Sequence, residues 1–117
     1  MTNVELDQIE TTFGIRLPSG YRTLMASGVF TMDEIDNYIL NDVGSVIGIN
    51  KELRTGEFSR EWKPQWFIIG NDDCGNIYFI DVIEESSIVY LWDHETHQVE
   101  HFANSLDAFL VQLQQIL

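Results

Sequence analysis

Four short apolar segments follow Pro64, and the links between them are too short for anything but hairpins. The segments are "WFIIG", "NIYFIDVI", "SIVYLWD" and "QVEHFA", and the links are "NDDCG", "EES" and "HETH". β-branched and aromatic residues bounded by turn formers read as strands. A parallel crossover needs about a dozen residues or more, so these strands must run as an antiparallel meander. The two central segments are apolar on both alternating faces. Ile77 and Phe79 stand against Tyr78, Ile80 and Val82, and Ile88, Tyr90 and Trp92 against Val89 and Leu91. A sheet with one wet face alternates more cleanly. Either helices cover both faces, or one face presents aromatics to a partner.

Helical patterns flank the meander. In "TNVELDQIETTFG", Thr2 and Glu5 form a capping-box pattern, Leu6, Ile9 and Phe13 share a face, and Gly14 can close the helix. "LPSGYRTLMASG" predicts a second helix, with Pro18 in its first turn, Tyr21, Leu24 and Met25 on one face and Gly28 as its stop. The short link "IRL" forces the two helices against each other. "NSLDAFLVQLQQIL" predicts the last helix, capped by Asn104 or Ser105, with Leu106, Phe109, Leu110, Leu113 and Leu117 as its stripe. Residues 29–63 are the least legible. A short strand near Tyr38 to Leu40 and a helix starting at Asn41 or Asp42 are compatible with them, although Gly44 and Gly48 weaken the helix. The expected architecture is a single α+β domain over residues 1–117. A mostly antiparallel twisted sheet carries two N-terminal helices and one C-terminal helix.

Charge restricts the partners. The chain carries 19 acidic and 6 basic residues, for a net charge of −13. Residues 64–117 hold nine of the acids and no lysine or arginine. Such a surface repels nucleic acid and anionic lipid and attracts a basic protein. Solubility alone is the plainer account. The start of the chain has neither a basic nor an apolar leader region, and no apolar run approaches a membrane span. A cytoplasmic domain is expected.

Two stretches invite a chemical reading. "GNDDCGNIYFID" packs adjacent carboxylates beside Cys74, the one cysteine. A calcium loop needs oxygen ligands at alternate positions and a glycine at the sixth, and no starting point here supplies both. A turn accounts for each residue, with Asn and Asp bonding the local backbone and Gly75 at positive φ. "DHETHQVEH" holds His94, His97 and His101, but a zincin needs its second histidine four residues after the first on a helix. On a strand, His97 and His101 would lie roughly 13 Å apart. A polar hairpin loop is expected, with no metal and no cofactor. Trp66 is expected in the core and Trp62, within a charged loop, at the surface.

The motifs resemble a known family. "IETTFGIRLPSGYRTLM", with Gly14, Leu17, Pro18, Tyr21 and Arg22, is similar to the opening of the SUKH superfamily, whose best-known branch (the SMI/KNR type) is named for yeast cell-wall synthesis regulators. "FIIGNDDCGNIYFID" resembles its strand, acidic-glycine turn and strand. "VYLWDHET" resembles its next strand and turn, and "NSLDAFLVQL" its closing helix. The motifs leave residues 29–63 unmatched, and "SGVF" stands where the family often has a glycine pair. The resemblance implies a six-stranded or similar α+β sheet and no catalytic residues. Bacterial members are mostly immunity proteins that block toxins, often nucleases, and eukaryotic members are regulatory interaction proteins. The expected function is therefore a non-enzymatic immunity protein that binds a basic toxin domain. The alternative is a regulatory scaffold without a toxin partner. Loop acids Asp72, Asp73, Glu84, Glu85, Asp93 and Glu95 are the expected contacts, with Tyr78, Tyr90 or Trp92 as apolar anchors wherever exposed.

Overall fold

The computed structural model describes residues 1–27, 38–56, 60–72, 74–84 and 87–116. Helix α1 spans Asn3–Phe13 and starts on the expected capping box. The Thr2 hydroxyl accepts the Glu5 N–H at 3.1 Å, and the Glu5 carboxylate accepts the Thr2 N–H at 2.9 Å. Gly14 closes the helix in the left-handed region at φ 64°. Helix α2 spans Ser19–Ser27. It is tied to α1 by Arg22, whose guanidinium reaches Asp7 at 2.9 Å and Glu10 at 3.0 Å. The Glu10 carboxylate also accepts the Leu17 N–H at 2.8 Å, which holds the link itself. The proposed stop at Gly28 lies outside the described residues.

Helix α3 spans Val43–Thr55 and begins at Asp42, one of the two starts the sequence allows. The Asp42 carboxylate accepts both the Ser45 N–H at 2.9 Å and the Ser45 hydroxyl at 2.6 Å. This third helix joins the two expected in the N-terminal half. Helix α4 spans Leu106–Ile116, and Ser105 caps it by accepting the Ala108 N–H at 3.1 Å. Leu106, Phe109 and Leu113 are buried, while Leu117 lies outside the described residues.

The strands are β1 (Trp66–Asn71), β2 (Ile77–Asp81), β3 (Val89–Trp92) and β4 (Val99–Ala103). They form one antiparallel sheet in the order β1-β2-β3-β4, the meander that the short links require. The described residues thus hold four strands where the family resemblance implied about six. The segment near Tyr38 adds an isolated bridge, Ile39 opposite Gly70. A bulge between Ile68 and Gly70 brings the backbone so close there that a side chain at Gly70 would collide with the Tyr38 carbonyl oxygen.

Both faces of the sheet are apolar, and they are covered differently. Phe67, Ile69, Tyr78, Ile80 and Val89 pack under Leu6 and Ile9 of α1, Tyr21 and Met25 of α2, and Phe109 and Leu113 of α4. Ile68, Ile77, Phe79 and Trp92 face the other way and meet Leu53 of α3 and Trp62. Here the structure reverses one expectation. Trp62 is buried and Trp66 only half-buried. Trp62 folds from its charged loop onto the sheet, with ring centroids 5.2 Å from Phe79 and 5.4 Å from Trp66, and its indole N–H donates to the Trp66 carbonyl at 3.1 Å. Its apolar area outweighs the polarity of its neighbours in sequence.

Candidate protein-interaction surface

The second face carries an aromatic row across all four strands. Trp66 of β1 lies 4.6 Å from Phe79 of β2, Phe79 stacks on Tyr90 of β3 at 5.5 Å, and His101 of β4 meets Tyr90 edge-on at 6.4 Å. Register produces this row, because Phe79 is paired with Tyr90 and Tyr90 with His101. Cross-strand partners on one face stand close enough for rings to touch. Trp62 covers only the β1–β2 end. At the β3–β4 end Tyr90 is half-buried, His101 is exposed, and Val99, paired with Trp92, is 42% exposed. β4 is also the edge of the sheet. The opposite edge, β1, is closed by the 38–40 segment and α3. The Leu40 N–H donates to the Ile69 carbonyl at 2.9 Å, and the Asn71 N–H to the Tyr38 carbonyl at 3.0 Å.

Of the expected anchors, Tyr90 alone is partly accessible on this face. Tyr78 is buried on the other face between Phe102 and Phe109, at 4.9 and 5.0 Å. Desolvation, with the Asp72 charge adding to it, pushes its phenol pKa up to about 12. Trp92 is 2% exposed and stacks on His97 at 4.8 Å. Both are core residues and offer no surface to a partner. Sequence reasoning passed over Val99 and weighed His101 only as a metal ligand, although their alternation with Glu100 and Phe102 in "VEHFA" was the available signal for a surface strip.

The acids separate into two groups. Asp72 and Asp93 stand at the end of the sheet where β1 turns into β2 and β3 into β4. Glu84 stands at the other end, with β2 between them at ~3.4 Å per residue. Asp72 is bound into its own turn. One of its oxygens accepts the Cys74 and Asn76 N–H groups, each at 2.9 Å, and the other the Asn76 amide at 3.0 Å. Gly75 completes the turn at φ 90°, so Asp72, Cys74, Gly75 and Asn76 form the turn that the composition indicates. Asp93 likewise accepts the Glu95 and Thr96 N–H groups at 2.8 and 3.1 Å, and these bonds hold its carboxyl below the usual range. Glu84 accepts the Tyr90 hydroxyl at 2.9 Å, and Glu95 remains exposed. Asp73 and Glu85 lie outside the described residues.

The histidines part in the same way. His94 faces Asn76, with its N–H donating to the amide oxygen at 3.1 Å and its ring Nδ1 lying 2.8 Å from the same atom. His97 sits in a turn at φ 58°, not on a strand, and its Nδ1 is 2.9 Å from Glu61. His101 belongs to the aromatic row. Among the described residues no three His, Cys, Asp or Glu side chains gather as a metal would require. No described helix is long and apolar enough to cross a membrane.

The arrangement holds a half-covered aromatic strip at an open sheet edge, with carboxylates at both ends. No curated protein matches the chain. A family model does, and its match runs through residues 29–63, which the motifs alone left unmatched. Over residues 1–112 the sequence matches the SMI1 / KNR4 family (SUKH-1), and the chain belongs to that family.

Proposed function

We propose that this chain is a non-enzymatic immunity protein that binds a basic bacterial toxin domain through the partly exposed β3–β4 half of its sheet. The family includes toxin immunity proteins, which supports the class of function. The observation that carries the reading is the segregation of charge. The half of the chain that builds the sheet has nine acids and no lysine or arginine, and the strip of half-buried Tyr90 with exposed Val99 and His101 lies within that field. Opposite charge steers encounter and rejects wrong partners, while buried apolar contacts set residence time. The electrostatic reach is about one Debye length, ~8 Å at physiological salt.

The experiment is surface plasmon resonance against any toxin domain found encoded beside this gene, from low to high salt. Replacing Glu84, Glu95 and Glu100 by glutamine together slows association several-fold and flattens its salt dependence. Val99→Ser with His101→Ala speeds dissociation and leaves association nearly unchanged. Association insensitive to both salt and the three acids would sink the electrostatic reading. Binding to a cellular protein, with none to the toxin, would favour the regulatory scaffold.

A further inference from the structure

The N-termini of α2 and α4 open onto one cavity of about 530 Å³, whose lining includes Ser19, Gly20, Thr23, Ser87, Ser105 and Asp107. The two helix ends differ. At α4, Ser105 caps the Ala108 N–H and Asp107 stands in the first turn, so one of the free amides and the dipole have an answering group. At α2 the first intrahelical bond runs from the Arg22 N–H to the Pro18 carbonyl. The N–H groups of Ser19, Gly20 and Tyr21 precede it, and the first N–H groups of a helix have no partner within it. Pro18 has no side-chain acceptor, and the first turn of α2 contains no acid.

A second, independent feature lines the same cavity. Ser87 is 5% exposed, and its hydroxyl has no hydrogen-bond partner. Its backbone is left-handed at φ 54°. A Cβ built on Gly20 would stand 3.9 Å from Ser87 Oγ, in van der Waals contact, so the hydroxyl lies beside the first turn of α2, with both residues in the cavity lining. A buried hydroxyl without a partner carries a desolvation cost that a bound ligand can offset. Backbone N–H groups at a positive helix end together with a serine hydroxyl are donors for an oxyanion. No lysine or arginine lines the cavity, and Asp107 places one carboxylate there. Asp107 repels a bare anion and favours a ligand carrying an ammonium group beside its oxyanion.

We propose that this cavity binds a small zwitterion, its phosphate or carboxylate on the α2 amides and Ser87, its ammonium toward Asp107. The two oxyanion sources are separated by the probes. The ¹⁵N-labelled chain is titrated with inorganic phosphate, acetate, phosphoethanolamine and glycine, following the amide resonances of Ser19, Gly20, Tyr21 and Ser87. Saturable shifts confined to these amides are expected, with each amino-bearing probe binding several-fold more tightly than its plain counterpart. Asp107→Asn abolishes that difference and keeps the oxyanion response. Ser87→Gly, which accommodates the left-handed backbone, weakens all binding, and Gly20→Leu fills the space. The dispersed spectrum of each variant reports its fold. Absence of saturable shifts with all four probes overturns the site, as does an undiminished response in Ser87→Gly. An unchanged preference in Asp107→Asn overturns the zwitterion.

Discussion

The side chain of Asn50 pairs with both backbone groups of Ile68. Its Oδ1 accepts the Ile68 N–H at 3.0 Å, and its amide donates to the Ile68 carbonyl at 3.4 Å. Arg54, one turn on, donates to the same Oδ1 at 2.9 Å and to the Trp66 carbonyl at 2.8 Å. Together they close the edge of β1 with side chains where a further strand would otherwise pair. An unpaired edge invites association with other chains. Asn50 is fully buried, so each of these bonds is made in low dielectric.

Replacing Asn50 by leucine keeps the volume and strands the Ile68 N–H. The expected loss is about 2–3 kcal/mol, the cost of an unsatisfied buried donor with its lost bonds. Urea unfolding measures it, and faster hydrogen exchange at the Ile68 amide localises it. A loss within experimental error would show that the edge is not held by this contact.

Two glycines are required for different reasons. Gly75→Ala places a side chain at φ 90° and costs on the order of 1 kcal/mol. Gly70→Ala meets the Tyr38 carbonyl and must push the 38–40 segment off the sheet, so it costs more than Gly75→Ala. The two midpoints in one denaturant series decide the order.

Trp62→Ala removes the lid of the second face. The expected cost is about 3–5 kcal/mol, as for other buried aromatics. The substitution also exposes Trp66 and Phe79, which a blue-to-red shift in the remaining tryptophan emission reports. A mere surface residue would change neither quantity.

The pH dependence has two signs. Asp93 has a folded pKa below its ordinary value of 3.8, so the folded state binds fewer protons there than the unfolded chain. Its stabilisation is complete above that value and is lost as pH falls through the folded pKa. Because the group is exposed, the effect is small. Tyr78 is raised to about 12 from 10.0, so its contribution is complete below 10.0 and fades as pH rises toward 12. Burial also pushes the Tyr21 phenol up. Phenolate absorbance in native protein should therefore lag behind that of the unfolded chain. Four tyrosines ionising together near their ordinary pKa in a folded protein would contradict the burial of Tyr78 and Tyr21.

The elements of this fold were largely written in local sequence. Thr2 with Glu5, Asp42 with Ser45, and Ser105 each satisfy helix N–H groups a few residues away, so their signals need nothing distant. The links after Pro64 dictated hairpins by length alone, and the two-faced apolar pattern left open whether both faces are covered or one presents aromatics. Tertiary structure decided which polar and aromatic groups were free. Asn50 reads as an ordinary helix residue until folding brings Ile68 beside it. Trp62 reads as exposed until its loop closes on Phe79. Asp72 and Asp93 read as projecting charges, yet both turn back to accept backbone N–H groups, while Tyr78 and Trp92 go to the core and leave Tyr90, Val99 and His101 at the surface. Periodicity identifies the two faces of a strand. What covers each face, and where the cover stops, depends on contacts between segments far apart in the chain.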